Sequence, residues 1–135
     1  MKHFLPTMCC AMMMHLAAPA QAFTLPNGVK VNAVDDLVFE VVPRSSGTLD
    51  EFWCGASEYA RRVLGAGWRD MIYVYRGRGI SETTGKRSAV QFTISREKAP
   101  DVPAERSIIQ LGLKAGDSMS VQMARTHCNQ RPIRP

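Results

Sequence analysis

The clearest periodicity in the chain lies between Thr48 and Gly65. Apolar side chains recur there at Leu49, Phe52, Trp53, Ala56, Ala60, Val63 and Leu64, close to the i, i+3, i+4, i+7 spacing of an amphipathic helix. Asp50, Glu51, Ser57, Glu58, Arg61 and Arg62 fall mostly on the opposite side. Thr48 and Glu51 stand three apart, as a capping box requires, and Asp50 puts negative charge at the positive end of the helix dipole. Glu58 and Arg62 are spaced for an i, i+4 ion pair. Gly65 suits the left-handed position that closes a helix. Gly55 is the discordant residue, costing about 0.5–1 kcal/mol against alanine inside a helix. Its expected use is close packing against another backbone.

The remaining pattern is strand-like. Leu37 to Val42 is rich in β-formers, with Leu37, Phe39 and Val41 on one face and Pro43 as the stop. Met71 to Tyr75 reads as a second strand, and Arg87 to Ser95 as a third in which Val90, Phe92 and Ile94 alternate with polar neighbours. These two form an antiparallel hairpin around a polar loop, Gly77 to Lys86. Phe23 to Lys30 is a lead-in segment with a Pro-Asn-Gly turn, and Lys98 to Glu105 is a loop with two prolines. Ile108 to Leu113 fits a short strand or a helical turn. Met119, Val121 and Met123 alternate with polar residues, so Ser118 to Ala124 is expected as the last strand. The predicted fold is α+β: an antiparallel sheet of three to five strands with one helix, about 48–64, packed on one face. Phe52, Trp53, Ala60 and Val63 from the helix meet Phe39, Ile72, Val74, Val90, Phe92 and Val121 from the sheet. The opposite face is free to remain wet.

The first residues change the chemistry expected of the rest. Lys2 and His3 precede an apolar run from Phe4 to Ala18, and Ala20-Gln21-Ala22 matches a small-x-small cleavage site. Residues 1–22 therefore read as a secretory signal peptide cleaved after Ala22. Residues 23–128 then form a single domain and 129–135 a disordered tail, with periplasmic or secreted localisation and no membrane-spanning segment after cleavage. Cys9 and Cys10 leave with the signal, so Cys54 and Cys128 remain and are expected to pair in an oxidising compartment. The net charge of +5 falls to +4 with the loss of Lys2.

Candidate chemistry is sparse. His127-Cys128 supplies a base and a nucleophile, but adjacent residues do not naturally face one another. No Gly-x-Ser-x-Gly turn, Cys-x-x-Cys pair or zinc ligand set is present, and no cofactor is implied. Asp35-Asp36 reads as a solvated turn. Gly77-Arg78-Gly79 lacks the strand–loop–helix context of a phosphate cradle. The functional feature is basic charge: Arg61, Arg62, Arg69, Arg76, Arg78, Lys86 and Arg87 make one anion-binding patch if the hairpin loop folds near the helix C terminus. Tyr73 and Tyr75 share one face of the second strand.

Phe52-Trp53-Cys54-Gly55-Ala56, with Tyr59-Ala60, Ile72-Tyr73-Val74 and Gly77-x-Gly79, resembles small exported proteins of alphaproteobacteria. The resemblance spans residues 37–128; it implies an exported domain with the same paired cysteines and carries no activity with it. The expectation is a non-enzymatic binding or envelope-associated module for an anionic envelope ligand or a partner protein, with nucleic acid disfavoured. The alternatives are a small hydrolase-like or thiol enzyme using Cys54 or Cys128 with His127, and a subunit that docks a partner through its sheet.

Overall fold

The computed structural model describes residues 23–102 and 112–129. Residues 1–22, read above as a signal peptide, the Ile108–Leu111 part of the undecided segment and the tail from 130 onward lie outside the described residues. The fold is α+β, as predicted, with six strands in place of three to five. In chain order these are β1 (Phe23–Thr24), β2 (Lys30–Ala33), β3 (Val38–Val42), β4 (Met71–Gly79), β5 (Ala89–Thr93) and β6 (Ser118–Ser120). Helix α1 (Leu49–Arg62) links β3 to β4, and a second helix, α2 (Val121–Thr126), follows β6 and runs into a 3-10 turn, His127–Asn129. The sheet order is β1-β2-β3-β5-β4-β6, antiparallel throughout. β3 and β4 therefore point the same way but never pair, because β5 is inserted between them.

α1 starts as its cap predicts, with Thr48 Oγ1 accepting the Glu51 N–H at 3.2 Å. It ends with Gly65 at φ +70° and the Ala66 N–H returning to the Ala60 carbonyl at 2.8 Å. Phe52, Trp53, Ala56 and Ala60 are fully buried against Phe39, Val41, Ile72, Val74, Val90 and Phe92. Tyr59 joins them, its ring 4.6 Å from that of Phe39, while Trp53 packs edge-on to Phe92 at 5.2 Å. Val63, expected in this core, is exposed. Gly55 faces β3: a β-carbon there would lie 2.8 Å from Val41 Cγ1, so the helix approaches the strand more closely than alanine permits.

Three sequence expectations are corrected. β4 runs on to Gly79, so Gly77-Arg78-Gly79 is strand and the connecting loop begins at Ile80. The lead-in segment is a hairpin, with Phe23 opposite Val31. The last strand stops at Ser120, whose hydroxyl accepts the Met123 N–H at 3.1 Å and caps α2. From there Val121 and Ala124 turn inward at helical spacing and Met123 turns outward. Capping by serine, followed by Gln, Met, Ala and Arg, outweighs a short alternation.

The second face of the sheet is covered at its centre. β3 and β5 are buried at every position. Leu37 falls in a turn before β3, where Asp35 Oδ1 accepts the N–H groups of Leu37 and Val38, each at 2.8 Å. Glu40, fully buried on β3, takes the hydroxyl of Ser81, the hydroxyl and N–H of Thr83 at 2.5 and 2.9 Å, the Glu82 N–H at 3.2 Å and Gln91 Nε2 at 3.4 Å. The 80–86 loop thus folds over its carboxylate. Burial pushes the Glu40 pKa upward, and the donors of Ser81, Thr83 and Gln91 outweigh it, leaving the net shift downward.

Two measurements follow. Gly55→Ala gains helix propensity yet drives a methyl into Val41; we expect a net loss of about 1 kcal/mol or more in a urea titration. For Glu40, the lowered folded-state pKa means that its stabilisation is present above pH 4.5, the ordinary value, and disappears as pH falls through the folded one. The urea midpoint should drop along that limb, and Glu40→Gln should lose about 2 kcal/mol at pH 7 and flatten it.

Candidate functional site

The connection from α1 into β4 decides where the basic residues go. β4 begins beside the C-terminal end of α1 and ends beside its N-terminal end. Arg78, near the end of β4, donates from Nη1 to the carbonyls of Ser46 and Gly47 at 2.8 and 3.2 Å and lies 4.9 Å from the Phe52 ring. Arg76 lies against Gly79 and faces Glu82 at 4.0 Å. Lys86 and Arg87 are exposed on the loop. Arg61, Arg62 and Arg69 sit at the other end of a 14-residue helix, about 20 Å away. The loop does not fold near the helix C terminus, so the seven residues divide into two groups.

The group at the C-terminal end of α1 gains members that sequence reading missed. Trp68 carries the Arg61 guanidinium over its ring at 3.7 Å. The Trp68 carbonyl accepts the Gln122 N–H at 3.0 Å and the Asp70 carbonyl accepts the Val121 N–H at 2.9 Å, which stitches the 65–70 loop to the start of α2. Asp70 Oδ2 accepts the Gly67 N–H at 2.7 Å and fixes the loop itself. The result is an open groove of about 530 Å³ lined by Trp68, Arg69, Gln122, Arg125 and Thr126. The signal for Trp68 was available, as a large aromatic in a short glycine-containing loop beside arginine. Arg125 lies just past Ala124, where the expected strand ended, and no local pattern placed it beside α1.

Glu58 sets which arginines are committed. It pairs with Arg62 Nε at 2.8 Å, as its i, i+4 spacing predicted, and with Arg125 from α2. Its carboxylate is buried because α2 and the 3-10 turn run antiparallel along α1, covering a flank expected to face water. Arg61 and Arg69 have no carboxylate partner among the described residues. They carry the uncommitted positive charge beside the groove.

Farther along the same flank, Cys54 and Cys128 are disulfide-bonded with Cα atoms 4.8 Å apart, as expected. His127 places Nδ1 2.5 Å from Asp50 Oδ1. Neither sulfur is a thiolate in this state, and His127 is oriented by Asp50 without a nucleophile in hydrogen-bond contact among the described residues. A cleft of about 340 Å³ lies beside the disulfide, bounded by the β1–β2 turn and the Glu58 ion pairs. Among the described residues no group of three or more His, Cys, Asp or Glu is placed to hold a metal, and no helix is long and apolar enough to cross a membrane.

Comparison with protein-family models, curated proteins and solved structures gives no match. The resemblance to small exported proteins rests on the Phe-Trp-Cys-Gly-Ala motif and its downstream companions alone.

The bridge closes a loop with a sequence separation of 74. Replacing Cys54 and Cys128 together by serine should cost about 4 kcal/mol on the chain-entropy account. Amide exchange should speed up first in 121–129, the segment the bridge holds; equal acceleration across β3 and β5 would show that the bridge does not act locally.

Proposed function

We propose that this protein is an exported, disulfide-stapled, non-enzymatic binding module that recognises an anionic ligand at the groove between the 65–70 loop and α2, beside the C-terminal end of α1. The observation that carries the reading is the pair Arg61 and Arg69, both without a carboxylate partner among the described residues, flanking an exposed tryptophan on which one of them is stacked. Stacking orients a guanidinium and leaves its N–H edge available to a phosphate or carboxylate. Arg125 adds a second wall, and its pairing with Glu58 holds it in place.

The reading departs from the seven-residue patch in a specific way. Arg78 is occupied with backbone carbonyls, so we assign it to tying β4 to the start of α1. Arg76 is assigned to the Glu82 side of the sheet. Two features favour this groove over the alternatives. The outermost strands of the sheet are two and three residues long, leaving little edge for a partner strand. The disulfide holds both candidate nucleophiles out of thiol form.

Salt-dependent retention on immobilised polyphosphate tests the proposal. The wild-type protein should bind at low ionic strength and elute as salt rises. Arg61→Ala with Arg69→Ala should elute at markedly lower salt, whereas Arg87→Ala with Arg96→Ala, an equal loss of charge, should change elution little. Equal shifts from the two pairs would reduce the binding to net charge and overturn the site.

A further inference from the structure

Among the described residues, eight large apolar side chains are exposed, and five of them gather at one end of the molecule. Val63 and Leu64 close α1, Trp68 lies in the following loop, Met71 opens β4 and Met123 lies in the first turn of α2. Met71 pairs with Ser120, and Ser120 caps the N–H of Met123, so these elements adjoin. Each of the five side chains is 37–53% exposed. Arg61, Arg62, Arg69 and Arg125 surround them against Glu58 and Asp70, leaving the end positively charged.

We infer that this end docks on an anionic lipid bilayer, the apolar side chains entering the interface while the arginines meet headgroup phosphates. The inference rests on the anion-binding reading above and supplies its partner. A soluble polyanion would use the arginines and leave five large apolar groups in water. A bilayer surface uses both, because apolar side chains of this size gain by leaving water and basic side chains gain from the negative surface potential. Tryptophan suits the depth of the headgroups, where its ring is buried and its N–H stays hydrated. Arginine stems cover apolar surface while their heads remain with phosphate. The charge complementarity, with apolar side chains spread over the end of α1, the following loop, the start of β4 and α2, fits a surface better than a single groove-filling peptide.

Trp68 is its own reporter. The other tryptophan, Trp53, is fully buried in the core, so a fluorescence change on membrane contact belongs to Trp68. The experiment uses the full exported chain with vesicles of phosphatidylglycerol and phosphatidylcholine, vesicles of phosphatidylcholine alone, and soluble polyphosphate. We expect co-sedimentation with the anionic vesicles, a blue shift that is absent from the Trp68→Phe protein, and a loss of about five-fold per arginine for Arg61→Ala and Arg69→Ala. Val63→Ser, Leu64→Ser and Met123→Ser combined should lower vesicle binding by at least about ten-fold and leave polyphosphate binding intact. Vesicle binding without a blue shift and unaffected by the triple variant would overturn the docking inference and leave anion recognition standing. Failure to bind both vesicles and polyphosphate would overturn both. A concentration-dependent dimer in sedimentation equilibrium that the triple variant abolishes would assign the surface to a second copy and overturn the membrane.

Discussion

The distance between α1 and β3 is the constraint on which the molecule depends. Gly55 sets it, because any β-carbon at that position meets Val41. Its neighbour Cys54 is bonded to Cys128. Two consecutive residues thus hold one helix, against the sheet through the absence of a side chain and against the C-terminal segment through a covalent bond. The local cost of glycine in a helix is small beside what the close approach allows, which is interlocking of Phe52, Trp53 and Tyr59 with Phe39 and Phe92.

Charge follows from that packing. Because α2 lies along α1, Glu58 is buried between Arg62 and Arg125, and those two arginines are spent within the protein. Arg78 is spent on Ser46 and Gly47. Among the described residues, Arg61 and Arg69 at the end of α1 are left without a carboxylate partner, beside an exposed tryptophan. The sheet's second face shows the same logic with the sign reversed. A buried carboxylate, Glu40, is surrounded by donors from a loop that superficially resembled a cradle for an external anion, and the anion it receives belongs to the neighbouring strand.

Local signals were legible in the sequence and long-range ones were not. The α1 cap, its closing Gly65, the Glu58–Arg62 pair and the antiparallel β4–β5 pairing depend on residues close together in the chain, and each is present, the hairpin with a longer β4 than read. The cysteine pair was legible by counting, because two remained after the predicted cleavage. Ser57 and Glu58 looked solvent-facing because nothing in the helix pattern announces a second layer over its polar flank. Glu40 looked like an ordinary polar position in an alternating strand, since its donors lie 41 to 51 residues away. The division of the arginines followed from the direction of β4 past α1, a topological fact that periodicity does not encode. The alternation of Met119, Val121 and Met123 fits a strand as well as the short helix that forms, and a three-residue strand followed by a serine cap satisfies part of each.

The order in which the chain is made gives the disulfide a place in time. The central strands meet through partners 51 residues apart, so the core closes only once β5 has been delivered. Cys54 emerges earlier still and must wait for Cys128 at a separation of 74. By then β1 to β5 are available to assemble, and α1 already has a sheet to lie on. The bridge is therefore a latch that can close only once the strands it secures are available, and in a chain made N terminus first the hazard falls earlier, while the Cys54 thiol waits for its partner beside a half-built helix.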